Sequence, residues 1–140
     1  MSGPSAHCFR LHTHEEYSIG IVDQGEAMFH HAQGPEPVRA RSVVLIEPGR
    51  WHACNPNRPL DWSYRMLFVK ADWLHGQLGC GAITFPQRAL HHAGAADLAS
   101  RLCKPLEHAP DIARHRQWLL QIIELHAQCH DARPAHLEPE

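Results

Sequence analysis

The stretch SVVLIEPGRWH, residues 42–52, joins a short apolar run to a turn and then to a histidine. An apolar run of this kind, stopped by Pro48-Gly49, is typical of a strand that is buried on both faces. The turn would begin a second strand and direct the side chain of His52 toward an enclosed interior. The stretch therefore predicts a β-rich domain with an imidazole beside its interior.

Strand-like patterns also precede this stretch. EYSIGIVD at 16–23 is rich in β-branched and aromatic residues and leads into a turn opened by Gly25. EAMFHHA at 26–32 has the same character, whereas QGPEPV at 33–38 is polar and Pro-rich, which predicts a break between strands. Short strands separated by Gly and Pro turns favour a barrel or sandwich over a parallel α/β sheet.

The segment WSYRMLFV at 62–69 alternates large apolar side chains with other residues. Successive side chains of a strand point to opposite faces, so this pattern predicts one aromatic-rich face that is turned inward. The inward residues would be Trp62, Tyr64, Met66 and Phe68.

From residue 71 onward the apolar period changes to that of helices. Helices are predicted within 71–78, 93–106 and 111–132, and the last segment contains no Gly or Pro. Its apolar stripe is broad enough to pack on its own domain and also on a second subunit. Coverage of the whole stripe within the same chain is an alternative that the sequence leaves open. The residues predicted to mediate dimerisation are Trp118, Leu119, Ile122 and Ile123.

The composition of the 140 residues is that of a globular domain, with 44% hydrophobic and 20% charged residues. No apolar run approaches the length of a membrane span, and the N-terminus has no apolar core like that of a secretory signal. We therefore expect a cytoplasmic protein that makes no membrane contact. Thirteen basic residues against 15 acidic ones give a net charge of −2, which argues against nucleic-acid binding by this segment itself.

The five cysteines are odd in number and widely spaced, without a CxxC pair. This distribution fits neither a disulfide framework nor a zinc knuckle. We therefore expect reduced thiols.

Fourteen histidines are the most unusual feature of the composition. Residues two apart on a strand share a face, so His12, His14 and Glu16 would point the same way. Together with His52 they could hold a divalent transition metal such as Zn, Ni, Mn or Fe. The structural alternative is that strand histidines hydrogen-bond a neighbouring carboxylate or backbone group.

Two other groups of polar residues have mainly structural explanations. His30 and His31 must point to opposite faces of their strand, and we expect this pair to be structural. Arg41 and Arg65 could clamp a carboxylate or phosphate of a ligand, although exposed strand arginines more often only increase solubility.

Three segments together resemble the N-terminal cupin-like domain of AraC-type transcription regulators: HTHEEYSIGIVDQGEAMF at 12–29, SVVLIEPGRWHACNP at 42–56 and WSYRMLFVKADWL at 62–74. The resemblance covers roughly residues 8–75. It implies a mainly β fold, a double-stranded β-helix or jelly-roll barrel followed by C-terminal α-helices.

In that family the barrel binds a small-molecule effector, the helices form a homodimer, and a separate C-terminal domain with two helix-turn-helix units binds DNA. By this resemblance, residues 1–75 are the effector-binding barrel, 76–132 are the helical dimerisation region packed on it, and 133–140 are a linker or truncated end. The chain would be the sensing half of a regulator, and it would reach DNA only through a domain that it does not contain.

The resemblance also implies roles for individual residues. His12, His14 and Tyr17 would face the pocket, and His52 would lie at its rim. Gly25 would close the first hairpin, and Pro48-Gly49 would form the second turn. Further residues implied to line the pocket are Trp51, Trp62 and Tyr64.

The wider cupin superfamily suggests an alternative, a stand-alone metal enzyme such as a dioxygenase or isomerase that uses His12, His14 and His52. The spacing typical of metal-dependent cupins, counted back from Gly25, places the carboxylate ligand at Ser18, so the usual ligand set is incomplete. We therefore expect no enzyme activity. A metal-responsive or sugar-binding module without catalysis is a further alternative.

Overall fold

Two antiparallel sheets enclose an interior, and helices cover the outer face of one of them. The computed structural model describes residues 15–104 and 112–130. The strands of this part are β1 (Glu16–Gln24), β2 (Glu26–His31), β3 (Gly34–Arg39), β4 (Val43–Ile46), β5 (Ala53–Pro56), β6 (Ser63–Lys70), β7 (Ala82–Thr84), β8 (Ala89–Leu90) and β9 (Gln128–His130), and the helices are α1 (Ala71–Leu78), α2 (Ala93–Leu102) and α3 (Ile112–His126).

The first sheet has the strand order β6-β1-β4-β8, the second has the order β3-β2-β5, and β7 pairs with β9. All of these pairings are antiparallel. The predicted mainly β, cupin-like fold with C-terminal helices is confirmed. Within residues 15–104 and 112–130 the two sheets do not close into a continuous barrel.

The first sheet is apolar on both faces. One face packs against the helices in a group that we call the helix-side core, to which Ile19, Val43 and Leu45 belong. The other face turns toward the second sheet and forms the interior core together with it, through residues such as Val44 and Ile46. The prediction of a strand buried on both faces at 42–49 is therefore confirmed for β4.

Helices α2 and α3 pack on each other and on the first sheet. Leu119, Ile122 and Ile123 of α3 are buried in the helix-side core, with no more than 6% of any of them exposed. The apolar stripe of α3 is therefore covered largely within the chain, which was the alternative that the sequence left open. No helix in the described ranges has the length and apolar character required to cross a bilayer.

Three sequence-based expectations about the chain path differ from the structure. Gly25 does not close a hairpin, because β1 and β2 belong to different sheets and Gly25 carries the chain from one to the other. Residues 33–38, expected to be a break, are largely strand β3. Pro35 and Pro37 are tolerated there because β3 is an edge strand, where a missing backbone N–H need not interrupt a ladder.

The region 76–132 is also less purely helical than expected, since it contributes β7, β8 and β9. Strand β8 pairs with β4 and so completes the first sheet. The predicted tail at 133–140 lies outside the described residues.

The expectation of reduced thiols is wrong for two cysteines. Cys80 and Cys129 form a disulfide with a Cα–Cα distance of 5.6 Å, and Cys54 and Cys103 take no part in this bond. The pairing was missed because the two residues are 49 positions apart and meet only where β9 returns to β7.

Gly25→Ala is expected to lower the free energy of unfolding by about 3 kcal/mol. Gly25 has φ +92°, and a Cβ atom there would lie 2.5 Å from the carbonyl oxygen of Asp61. Gly34→Ala is the matched control, because Gly34 has φ +106° and no atom within 4 Å of its Cβ position, so only backbone strain of about 1 kcal/mol is expected. Urea unfolding measures the free energy of unfolding of both variants. An equal loss of stability in the two would contradict a close contact between Gly25 and Asp61.

Candidate functional site

The antiparallel register arranges the side chains of the interior in layers. Residues opposite each other on antiparallel strands share a face, and every second residue of a strand returns to that face. The chain passes from the end of β1 directly into β2, so the late residues of β2 lie at the same end of the interior as the early residues of β1. The side chains of the interior form three layers, which we call the polar, middle and apolar layers.

The polar layer consists of Ser18 of β1, His31 of β2 and His52, which directly precedes β5. Their exposed fractions are 0%, 7% and 5%. Ser18 lies opposite Ile46 and Phe68 in its own sheet. One step beyond the His30–Ala53 pair, the register of β2 and β5 places His52 opposite His31. Three of the five buried polar or charged residues of the described chain thus lie in one layer.

His31 is held by hydrogen bonds at both ring nitrogens. The backbone N–H of Gln33 donates to Nδ1 at 3.2 Å, so Nε2 carries the proton and donates to Oε1 of Glu36 at 2.9 Å. The ring of Phe29 lies 5.0 Å away, centroid to centroid. The prediction that His30 and His31 point to opposite faces is confirmed, since His30 hydrogen-bonds Asn55 on the other side. His31 was nevertheless missed as a site residue, although the alternation of EAMFHH indicates its inward direction.

His52 is oriented by its own loop. Its Nδ1 lies 3.3 Å from the carbonyl oxygen of Arg50, an arrangement in which Nδ1–H donates and Nε2 keeps its lone pair. Trp51, the neighbouring residue, is partly buried and belongs to neither core.

Ser18 has no hydrogen-bond partner for its hydroxyl among the described residues, although it is completely buried. Such groups are rare in folded proteins because a buried hydroxyl loses its bonds to water. In the sequence, Ser18 stands out only as the position where a cupin carboxylate would fall. No pattern in the sequence reveals that its hydroxyl lacks a partner.

The middle layer is apolar and contains a close packing contact. A Cβ atom at Gly20 would lie 2.8 Å from the sulfur of Met66. The Met66 thioether therefore fits against β1 because Gly20 has no side chain. Phe29 and Cys54 face this layer from the second sheet. Met66 has a flexible, unbranched side chain, which makes it the residue of this layer that most easily changes position.

The apolar layer lies at the opposite end from Ser18. Trp62 is 3% exposed, and its ring centroid lies 5.9 Å from that of Tyr64. Trp62 and Tyr64, both predicted to line the pocket, therefore face the interior. Val22, Ala27 and Val38 face it with them. The indole Nε1–H of Trp62 is also buried without a partner among the described residues. Phe68, predicted to face inward as well, is 46% exposed.

Tyr17 lies on the other side of the sheet from these layers. It was expected to face the pocket with His12 and His14, but odd and even residues of one strand point to opposite faces. Tyr17 is 2% exposed within the helix-side core. Its hydroxyl donates to Nε2 of His75 at 2.7 Å and accepts the backbone N–H of Ile83 at 3.1 Å. A role for Tyr17 in direct ligand contact therefore has no geometric support.

Glu47 joins three segments of the chain beside the polar layer. It is 5% exposed and accepts the backbone N–H of Phe85 at 2.8 Å and Nε of Arg50 at 3.1 Å. Arg88 lies 3.8 Å from the same carboxylate and also hydrogen-bonds the side chain of Gln33. These contacts join the turn after β4, the β7–β8 connection and the β2–β3 turn.

The two arginines considered as ligand clamps are engaged elsewhere. Arg65 forms two hydrogen bonds of 2.8 Å with the carboxylate of Asp23 and also contacts Ser100 of α2. The hydrogen bond with Asp23 raises the pKa of Arg65 above its ordinary value. Arg41 forms an ion pair with Asp97 of α2. Arg65 connects the first sheet to α2, and Arg41 connects the β3–β4 turn to α2.

The proposed metal ligands are only partly described. His12 and His14 lie outside the described residues, Glu16 is partly buried opposite Lys70, and His52 belongs to the polar layer. Within 15–104 and 112–130, no group of three or more His, Cys, Asp or Glu side chains is placed to hold a metal ion. Glu16 and His52 do not form such a site by themselves, so the metal remains a prediction that depends on His12 and His14.

Comparison with known proteins adds one match to this geometry. A family model described as the AraC-like ligand binding domain matches residues 2–130. Among curated proteins, none matches the chain. Because the match spans most of the 140 residues, the chain belongs to the family of AraC-like ligand binding domains.

Proposed function

We propose that this chain is the effector-sensing and dimerisation domain of an AraC-type transcription regulator that acts in the cytoplasm. It binds a small molecule between the two sheets, catalyses no reaction, and reaches DNA through a separate domain. The observation that carries the proposal is the buried polar layer of Ser18, His31 and His52 at one end of an otherwise apolar interior.

The chemistry of the layers indicates the class of effector. The described charged residues beside the polar layer are already engaged: Glu36 accepts the hydrogen bond from His31, and Arg50 and Arg88 lie against Glu47. An ionised group deep in the interior would therefore lack a counter-ion, which is unfavourable. The effector is thus an uncharged, largely apolar molecule with a hydrogen-bond acceptor for Ser18 at one end. Ligand pockets commonly combine apolar walls with a few polar groups in this way.

Strand β1 provides a route from the effector to the helices. Ser18 faces the interior, whereas the adjacent Tyr17 holds Ile83 and His75 on the helix side. A displacement of β1 by a ligand therefore alters contacts with β7 and α1. Only a ligand that binds one arrangement more tightly than another can shift such an equilibrium.

The dimer contact requires a revision of the residues predicted from sequence. Leu119, Ile122 and Ile123 are buried against the same chain and set the position of α3. Trp118 is only partly buried, and Leu125, seven residues later and on the same flank of the helix, is 64% exposed. We place the homodimer contact on this flank.

Binding of an effector is tested by thermal unfolding of the full chain with a panel of sugars, amino acids, aromatic acids, fatty acids and neutral aromatic compounds. The proposal predicts that an uncharged, largely apolar compound raises the melting temperature in a saturable manner. Failure of every class in the panel to stabilise the protein would contradict it.

Ser18→Ala is expected to raise the stability of the ligand-free protein by about 1 kcal/mol, because it removes a buried hydroxyl that has no partner among the described residues. The same change should weaken binding of the stabilising compound about tenfold, which corresponds to one lost hydrogen bond.

Ser42→Ala is the matched control for this substitution. Ser42 is 1% exposed, but its hydroxyl accepts the N–H of Arg39 and hydrogen-bonds His91. Its loss should destabilise the protein by about 1 kcal/mol and leave affinity unchanged. Urea unfolding and calorimetric titration measure both quantities. A Ser18→Ala protein with unaltered affinity would show that the hydroxyl does not contact the effector.

Leu125→Asp is expected to weaken the dimer at least tenfold, because it places a charge in the proposed contact. Leu60→Asp is the control, since Leu60 is 90% exposed in the turn before β6, away from α3. Sedimentation equilibrium gives the dimer dissociation constant of each variant. A wild-type protein that is monomeric at high concentration, or a Leu125→Asp variant that dimerises normally, would refute the assignment.

A further inference from the structure

The β7–β9 pair holds the end of α3 against the rest of the molecule. Strand β9 follows α3 after a single residue and pairs with β7 over three residues. The disulfide between Cys80 and Cys129 links the same two segments. Its Cα–Cα distance of 5.6 Å falls within the usual range for disulfides, so the bond requires no backbone movement.

Apart from this bond, few contacts hold β9 within residues 15–104 and 112–130. Gln128 and Cys129 are exposed, and a two-stranded ladder of this size is marginally stable in water. The remaining contacts are polar: the N–H of Gly81 donates to the carbonyl of His130 at 2.7 Å, and Thr84 hydrogen-bonds the His130 ring. The fully buried residues of α3 end at Ile123, and Ala127, directly before β9, packs on the helix-side core only in part.

We infer that Cys80 and Cys129 are a reversible redox site, which is oxidised by a small-molecule disulfide of the glutathione class and which determines whether β9 is bound to β7. This inference does not depend on the proposed effector. It rests on the proposed location in the cytoplasm, a reducing compartment in which disulfides are usually transient and catalytic or redox-sensing.

The chemistry proceeds by two thiol–disulfide exchanges. The thiolate of the exposed Cys129 attacks one sulfur of the small disulfide, which forms a mixed disulfide and releases one small thiolate. The thiolate of Cys80, which is 7% exposed, then attacks the Cys129 sulfur and releases the second small thiolate. The two protons of the cysteine thiols end on the two released thiols. The protein dithiol is thereby oxidised by two electrons, and the small disulfide is reduced.

The other described cysteines are placed differently. Cys103 is largely buried, and this burial raises the pKa of its thiol to about 11, so it remains protonated and unreactive at neutral pH. Cys54 faces the interior core from β5. Neither takes part in the Cys80–Cys129 bond.

The position of the bond gives its redox state a structural consequence. Ile83 of β7 lies opposite Cys129 and also donates its N–H to the Tyr17 hydroxyl. Oxidation therefore fixes β9 to β7, the strand that Tyr17 of β1 contacts through the N–H of Ile83. Reduction leaves the buried part of α3 and the core contact of Ala127 in place and releases residues 128–130.

The test equilibrates the full chain in buffers with different ratios of reduced to oxidised glutathione. Peptide mapping by mass spectrometry then detects the peptide pair linked through Cys80 and Cys129. We expect the linked pair to form under oxidising buffers and to disappear reversibly under reducing ones. Hydrogen exchange of residues 128–130 should become at least about tenfold faster on reduction. The melting temperature should fall by about 5–10 °C.

Cys129→Ser and Cys80→Ser should behave like the reduced protein under all buffers, whereas Cys103→Ser should retain the full response of the wild type. The inference is overturned if the linked peptides never form or if no glutathione buffer reduces them. It is equally overturned if the bond forms and breaks without any change in the exchange of residues 128–130. Effector binding to the Cys129→Ser protein is measured separately, so a failure here leaves the proposed function intact.

Discussion

Strand β1 lies between two buried environments, and the rest of the structure depends on this placement. Its odd-numbered residues face the helices, its even-numbered residues face the second sheet, and residues 17–22 have no solvent-facing side. A one-residue change of register would exchange the two faces and place Tyr17 in the interior. The strand is therefore held in one register by burial on both sides, and it connects both cores.

The candidate site follows from the same alternation. Ser18 is directed to the interior because Ile19 and Tyr17 occupy the helix side, and Gly20 leaves the space that Met66 fills. The buried polar layer is consequently attached to a strand that cannot move without altering the packing of the helices. This is the physical basis on which an effector in the interior can act on α3, which carries the proposed dimer contact.

The sequence predicted most of the elements but not all of the contacts. Strands β1, β2, β4 and β6 follow from their own apolar patterns, and α1 was predicted with its observed bounds. The edge strand β3 was missed because Pro35 and Pro37 disfavour strands locally, whereas its pairing with β2 is a tertiary effect. The inward side chains of Trp62 and Tyr64 were predictable from alternation. The burial of Ser18 without a hydroxyl partner in the described part of the chain and the Cys80–Cys129 bond depend on distant segments, and no local pattern encodes them.

The most direct test of the account follows the backbone N–H of Ile83, because it donates to the Tyr17 hydroxyl and lies outside the proposed site. Its hydrogen exchange is measured with and without a compound that stabilises the protein. The account predicts that saturation with the compound changes the exchange rate of this N–H several-fold, together with that of β1. A compound that alters exchange in β1 but leaves Ile83 unchanged would contradict the coupling of the interior to the helices through Tyr17.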